Sequence, residues 1–156
     1  MPARLFIWLS VLALYLPRSM EAAPRATLVT LKTHKACVRT GPGKIYPVVW
    51  VLCVAGWPLK VTDTFDLWCR IEDPLGSAGW VHKSLLSKQK GVYLLKNTPV
   101  VANPQQPHHT VARAEKGALL RVLRIDPAWF YVRAGKIKGY VPRHICWNGQ
   151  DIAYKS

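Results

Sequence analysis

The chain has 156 residues, half of them hydrophobic, so it can form a packed core. Its 22 lysine and arginine residues exceed its 8 aspartate and glutamate residues, which gives a formal net charge of +14 at pH 7. Paired catalytic carboxylates are therefore scarce, which argues against a glycoside hydrolase, and the positive charge favours anionic partners. The alternative is a solvated basic surface without a defined ligand.

The first 23 residues have the layout of a secretory signal peptide. Arg4 supplies a positive start, Leu5 to Leu16 are uncharged and mostly apolar, and Ala22 and Ala23 are small residues suited to cleavage. This apolar run is too short for a membrane span, which needs about 20 residues. We therefore expect a periplasmic or secreted protein with no transmembrane span. An uncleaved anchor at the membrane surface is the alternative.

The remaining chain shows short β-prone stretches separated by turns, without a convincing amphipathic helix. In its first half we predict strands at 27–31, 37–40, 47–53, 59–62, 67–71 and 79–82. Turns are indicated by the Gly-Pro-Gly sequence at 41–43, a polar stretch at 63–66 and the Asp-Pro sequence at 73–74. Residues 84–87 are predicted to form a closing 3-10 turn that directs a leucine inward.

The second half begins after a basic link at 88–91. Its predicted strands are 92–95, 99–101, 118–125, 129–132 and 139–141, with a polar, proline-bounded loop at 103–107. Residues 148–156 are predicted to form a partly ordered C-terminal tail.

The two halves repeat one pattern of glycine and aromatic residues. Gly56, Trp68 and Gly79 in the first half correspond to Gly117, Trp129 and Gly139 in the second. Further pairs at matching offsets are Leu59 with Leu120, Val61 with Val122, Ile71 with Val132, Trp80 with Tyr140, Val81 with Val141, Lys83 with Arg143, and Leu85 with Ile145. A repeat of this kind, with short strands and no helix, predicts an all-β chain of two small barrels.

Four cysteines, Cys37, Cys53, Cys69 and Cys146, lie in the part predicted to be exported. In an oxidising compartment an even number favours one or two disulfides, and three full pairings are possible. Buried free thiols that act as small hydrophobic residues are the alternative. Because no two cysteines have the CxxC spacing, a zinc ribbon or thioredoxin-type site is disfavoured, and we predict no metal site.

Aromatic residues concentrate in the first half and are candidates for a binding groove, because aromatic faces contact sugars and extended peptides. They are Tyr46, Trp50, Trp57, Trp68 and Trp80. Two cations of the same region, Arg39 and Lys83, could pair with ligand carboxylates. Trp57 stands at a predicted turn, where an exposed ring would favour a binding role. Trp68 and Trp80 could equally belong to the core or to the barrel wall.

Several of these residues together resemble a bacterial SH3-like domain. The resemblance rests on Val38-Arg39-Thr40-Gly41-Pro42-Gly43, Tyr46-Pro47-Val48-Val49, Gly56, Trp68 and Gly79-Trp80-Val81-His82-Lys83-Ser84-Leu85-Leu86. The chain is most similar to exported proteins of alphaproteobacterial type that carry two such domains in tandem. The resemblance is specific over 37–87 and weaker over 92–147, where Ala102-Asn103-Pro104 replaces the Arg-x-Gly-Pro pattern and Tyr140 replaces the tryptophan.

This resemblance implies a strongly curved barrel of five to seven strands in each copy, with domain 1 at 26–88 and a divergent domain 2 at 91–147. It also implies a role in the cell envelope, where relatives bind peptidoglycan peptides or similar extended ligands. Basic residues exceed acidic ones in both halves, by nine to four in 24–88 and by eleven to three in 89–156.

We therefore predict an exported, non-enzymatic binding module without a cofactor. Its expected partner is a cell-wall polymer or an envelope protein or peptide, recognised through the aromatic groove and its basic surroundings. A structural envelope protein that binds only another protein is the alternative. Binding of nucleic acid also suits basic charge with aromatic residues, but the signal peptide and the cysteines argue against it.

Overall fold

The computed structural model describes residues 27–149, so the predicted signal peptide at 1–23 and most of the predicted tail at 148–156 lie outside it. Within this range the chain forms 13 β-strands and two short 3-10 helices, and no α-helix. The all-β prediction is confirmed. No helix of the described range is long and apolar enough to span a membrane.

The first half forms one antiparallel sheet of seven strands. They are β1 (Thr27–Leu31), β2 (Ala36–Arg39), β3 (Val48–Leu52), β4 (Pro58–Phe65), β5 (Trp68–Glu72), β6 (Ala78–His82) and β7 (Leu86–Ser87), with a 3-10 helix, η1 (Lys83–Leu85), before β7. Across the sheet the order is β3-β2-β6-β5-β4-β1-β7. Strand β3 is therefore an edge strand.

The second half forms a six-stranded antiparallel sheet. Its strands are β8 (Gly91–Tyr93), β9 (Thr98–Val101), β10 (Thr110–Ala114), β11 (Leu119–Ile125), β12 (Trp129–Ala134) and β13 (Ile137–Pro142), followed by a second 3-10 helix, η2 (Arg143–Ile145). The order is β10-β9-β13-β12-β11-β8, which repeats the first sheet with β8 in the place of β1. The repeat seen in the sequence is thus also a repeat of strand order.

Two of the repeated glycines, Gly79 and Gly139, occupy positions where a side chain does not fit. A Cβ added at Gly79 would lie 2.5 Å from Cγ1 of Val38 and 3.0 Å from the carbonyl oxygen of Arg39. The equivalent position of the second sheet, Gly139, is as crowded by β9. Gly56 and Gly117 are repeated for another reason, since their φ angles of 82° and 88° lie in the left-handed region that favours glycine.

Bulges occur at the same places in both sheets and bend them around their cores. The register with the next strand shifts between Val61 and Asp63 in β4, and between Val122 and Arg124 in β11. A second pair of shifts lies in the edge strands β3 and β10. An extra residue of this kind increases the local twist and bends the strand, which allows a short sheet to curl over its own apolar face.

Each sheet encloses one hydrophobic core. The first core contains Val29, Leu31, Ala36, Val38, Leu52, Leu59, Cys69, Ile71 and Val81. The second contains Leu28, Val92, Leu94, Val100, Leu120, Phe130, Val132, Val141 and Cys146. Strand β1 contributes to both, because Leu28 packs in the second core whereas its neighbour Val29 packs in the first.

Further contacts join the halves. The hydroxyl of Thr30 donates a hydrogen bond of 3.1 Å to the carbonyl of Gln89, and the rings of Trp57 and Tyr93 meet edge to face at 5.8 Å.

Three details of the sequence prediction are wrong. Leu86 and Ser87, predicted to belong to the closing 3-10 turn at 84–87, form strand β7 because they pair with β1. The polar stretch at 63–66 is mostly strand, because Asp63, Thr64 and Phe65 pair with β5 and only Asp66 and Leu67 form the turn. Asp66 accommodates this tight hairpin with a φ of 51°. Strand β10 was not predicted, since its sequence is short and partly polar, and it forms by pairing with β9.

The four cysteines are free thiols in the structure, and the predicted disulfides stay a prediction. Cys53 is exposed, Cys37 is half-buried, and Cys69 and Cys146 are buried in the first and second cores. Burial raises the pKa of the Cys69 thiol, and the charge of Lys83 lowers it by less. Burial likewise raises the pKa of Cys146, to about 12, against a smaller opposite effect of Arg143.

The raised pKa of Cys146 predicts a loss of stability in alkali. The folded chain keeps the Cys146 thiol neutral up to a higher pH than the unfolded chain does. The contribution of this thiol to the free energy of unfolding is therefore complete below the ordinary pKa of 9.0 and is lost as the pH rises towards 12. We expect Cys146→Ala to show a shallower fall in the free energy of unfolding between pH 9 and pH 11, measured by urea titration. The exposed Cys53→Ala variant should keep the slope of the parent. Equal slopes in all three proteins would contradict the prediction.

Candidate functional site

The strand register gathers several polar and aromatic side chains on the outer face of the first sheet. Trp80 of β6 is paired with Arg39 of β2 on one side and with Arg70 of β5 on the other. The next pair on the same side of these antiparallel strands is Trp68, two residues before Arg70, with His82, two residues after Trp80. Because directly paired residues point to the same side, these five residues form one surface, here called the first outer face.

The two tryptophans of this surface lie outside the hydrophobic core. Trp68 and Trp80 are both half-buried, and neither belongs to the first core. The Trp68 ring meets the His82 ring edge to face, with centroids 5.3 Å apart and planes at 90°. Nδ1 of His82 lies 2.8 Å from the hydroxyl of Ser84, which fixes the orientation of the imidazole. These contacts fix the Trp68 and His82 rings relative to each other on the first outer face.

A depression of about 330 Å³ opens next to Trp68. It is lined by Lys35, Cys37, Arg39, Lys44, Trp68, His82 and Leu85. Its lining combines an apolar surface, from Trp68 and Leu85, with three cationic side chains and no carboxylate. Such a site suits an apolar or aromatic group that adjoins an anionic one.

Arg39 also holds the loop 41–47 that borders this depression. Its Nη1 donates hydrogen bonds to the carbonyl oxygens of Lys44 (3.1 Å) and Tyr46 (2.7 Å). The Tyr46 ring covers Gly41 so closely that a Cβ there would overlap it. The Arg-x-Gly-Pro-Gly pattern and the following tyrosine therefore build one compact loop, and Arg39 has a positioning role in addition to its place on the face.

The other predicted site residues lie elsewhere. Trp50 and Trp57 pack against the first core and line a separate depression of about 270 Å³. Trp57 is half-buried rather than exposed, because its ring contacts Tyr93 of the second half. Lys83 is exposed at the start of η1. The structure thus brings together Arg39, Trp68 and Trp80, with Tyr46 adjoining them.

Four residues of the region are not among the site residues predicted from the sequence, namely Lys35, Lys44, Arg70 and His82. Alternation within β5 and β6 could have indicated Arg70 and His82, since they lie two residues from Trp68 and Trp80. Among the residues that the structure describes, no three histidine, cysteine or acidic side chains are grouped so that they could hold a metal ion.

Comparisons with solved structures show only distant likeness. NlpC2 from Trichomonas vaginalis is 9% identical with a TM-score of 0.37, and the match covers 78% of this chain and 47% of that one. NlpC1 from the same organism is 10% identical with a TM-score of 0.36, over 78% of this chain and 45% of its own. The chain therefore spans less than half the length of either protein.

Comparison with families is more specific, although no curated protein matches the chain. The model of the bacterial SH3 domain matches residues 32–88, a range that contains the whole first outer face and the adjoining loop. The similarity predicted from the sequence is confirmed for this segment, whereas a second such domain at 91–147 and an alphaproteobacterial type stay predictions. Residues 32–88 are thus similar to the bacterial SH3 domain family.

Proposed function

We propose that the chain is a non-enzymatic binding module of the bacterial cell envelope, in the periplasm or secreted, that recognises peptidoglycan or a similar extended peptide on its first outer face. One observation carries the proposal. Trp68 and Trp80 lie half-buried on one surface with Arg39, outside the core, beside a depression without carboxylates.

In this mechanism the apolar part of the peptide packs on Trp68 and Leu85, while its carboxylates pair with the cations at the rim. Lys35 and Lys44 are exposed and supply two of these cations. Arg39 contributes its charge and fixes the loop that carries Lys44. Recognition therefore combines an apolar contact with ionic contacts, and we expect it to weaken without disappearing as the salt concentration rises.

We propose binding without catalysis, although Cys37 and His82 line the same depression. A nucleophilic cysteine requires a histidine base within hydrogen-bond reach. Here the Nδ1 atom of His82 contacts Ser84, and the structure shows no hydrogen bond between His82 and Cys37. We expect Cys37→Ser to bind like the parent, and we expect no turnover of wall fragments.

The first test is co-sedimentation with purified peptidoglycan, followed by titration with soluble wall peptides. We expect Trp68→Ala to bind about tenfold more weakly, which corresponds to about 1.4 kcal/mol and is typical of an aromatic contact. Trp129→Ala, at the equivalent position of the second sheet, is the matched control and should bind like the parent. Unchanged binding by a folded Trp68→Ala variant would place the ligand elsewhere.

The edge strand β3 supports a second candidate function, a structural envelope protein that binds another protein. Val48, Val49 and Val51 of this strand are 44%, 50% and 39% exposed, and the strand contains no charged residue. Edge strands usually carry charged side chains that prevent pairing with another chain, so an exposed apolar edge of this kind is unusual. A partner protein that pairs one of its own strands with β3 would bind whether or not peptidoglycan is present. Substituting Val49→Lys should abolish such binding and leave retention on peptidoglycan unchanged.

A further inference from the structure

The outer face of the second sheet carries three cations in direct register. Arg121 of β11 is paired with Arg133 of β12, and Arg133 is paired in turn with Lys138 of β13. All three are exposed, and they are here called the cationic row. Adjacent strands are about 4.8 Å apart, so the row places three positive charges on one line across the sheet. Like charges directly opposite each other destabilise a sheet.

The first sheet shows that the fold does not require this arrangement. Its equivalent residues, in the same register, are Lys60, Glu72 and Ala78. There the central position carries the opposite charge to its neighbour and the third position is neutral. The second sheet thus has three like charges at positions where the first sheet, with the same topology, has an oppositely charged pair. This difference indicates that a ligand supplies the missing negative charge.

A basic groove adjoins the row at Arg121 and Arg133, whereas Lys138 lies outside it. Two adjoining depressions of about 290 and 440 Å³ share Lys90 and Arg121 in their lining. Arg133 lines the first, while Lys88 and Arg124 line the second. No acidic side chain lines either of them. Arg124 differs from the other cations, because it forms an ion pair of 3.0 Å with Asp126 and lies over the rings of Tyr131 and Tyr140.

We propose that the cationic row, with Lys88 and Lys90, binds a linear polymer that carries repeated phosphate groups and crosses β11, β12 and β13. Guanidinium groups bind phosphate oxygens through paired hydrogen bonds, and successive cations at strand spacing match an anion repeated along a chain. A groove accommodates a chain better than it accommodates a flat bilayer. This site is separate from the first outer face, so its test does not depend on the peptide-binding proposal.

The decisive variant is Arg133→Glu, which places a negative charge at the centre of the row, as Glu72 does in the first sheet. Titration with long-chain inorganic polyphosphate is expected to show at least a tenfold loss of affinity at low salt. The same variant should unfold at a higher urea concentration than the parent, since it replaces a repulsion by an attraction. Arg113→Glu, an exposed position of β10 outside the groove, makes the same change in net charge and should retain most of the affinity.

Three outcomes would overturn the proposal. Equal affinities of Arg133→Glu and Arg113→Glu would show that only net charge matters. Competition by orthophosphate as strong as that by the polymer, at the same phosphate concentration, would indicate a single-ion site rather than a polymer site. Binding to vesicles of anionic and neutral phospholipid without binding to polyphosphate would assign the surface to membranes. We expect weak competition by orthophosphate and no retention on the vesicles.

Discussion

Replacing Arg143 by leucine is expected to lower the free energy of unfolding by about 3 kcal/mol, the size typical of removing a buried, hydrogen-bonded charge. Arg143 is only 5% exposed, in η2. Its Nε donates to the carbonyl of Gly149 at 2.8 Å, and its Nη1 donates to the carbonyl of Pro127 at 3.0 Å. The guanidinium also lies over the Phe130 ring, 5.2 Å from its centroid. Leucine would leave these carbonyl oxygens without their donor.

The repeat provides a matched control for Arg143. Lys83 occupies the equivalent position in η1 but is exposed, so Lys83→Leu should change the free energy of unfolding by no more than about 0.5 kcal/mol. The free energy of unfolding of Arg143→Lys should lie between those of the two leucine variants, because an ammonium group cannot reproduce the planar fork of hydrogen bonds. Urea unfolding followed by fluorescence measures all three. Similar midpoints for Arg143→Leu and Lys83→Leu would contradict the structural role.

Gly139→Ala is the second substitution with a large expected effect. The added Cβ would lie 2.6 Å from Cγ1 of Val100 and 2.8 Å from the carbonyl oxygen of Val101. A side chain can rotate away, but the carbonyl belongs to the backbone of β9 and can move only with the strand. We expect a loss of about 3 kcal/mol, at the upper end of overpacking, and a thermal midpoint lower by several degrees.

A glycine in open space tests whether the crowding at Gly139 causes this loss. Gly135, at the turn between β12 and β13, has a φ of 60° and no neighbouring atom within 4 Å of an added Cβ. Gly135→Asn should therefore be tolerated, since asparagine enters the left-handed region more readily than other residues. Equal thermal midpoints for Gly139→Ala and the parent would mean that β9 and β13 do not approach as closely as described.

The strands and the repeat were predictable because they depend on local signals. Alternating apolar residues and turn residues recur at the same offsets in both halves, so each half supports the assignment of the other. The reason for the repeated Gly79 and Gly139 was not predictable, because the atoms that crowd them belong to β2 and β9, about 40 residues away in sequence. Strand β10 lacks a strong local signal and depends on its partner strand.

The candidate site was only partly predictable, because residue type does not determine which face a side chain occupies. The bulge in β3 pairs Trp50 with Val38 and Val48 with Arg39. Trp50 lies over the core because it alternates with Leu52 and pairs with Val38, whereas Trp80, paired with Arg39, lies on the outer face. The extra residue lies between Trp50 and Val48, so it turns Val48 and not Trp50 to the side of Arg39, and no local feature of the sequence indicates this shift.

The cationic row illustrates the same limit. Its residues are dispersed between positions 121 and 138, and they become neighbours only through the register of three strands. Net charge alone indicated an anionic partner but gave no location for it.

The sharing of β1 between the two cores also determines how two ligands would act together. Because Leu28 is anchored in the second core and Val29 in the first, the halves are connected as one body rather than by a flexible tether. Such a connection removes the conformational freedom that a flexible linker would give the two halves. Two ligands on the same polymer network would therefore be held at a fixed separation. A wall peptide on the first sheet and a phosphate polymer on the second would then bind with high avidity only where the wall presents them at that distance.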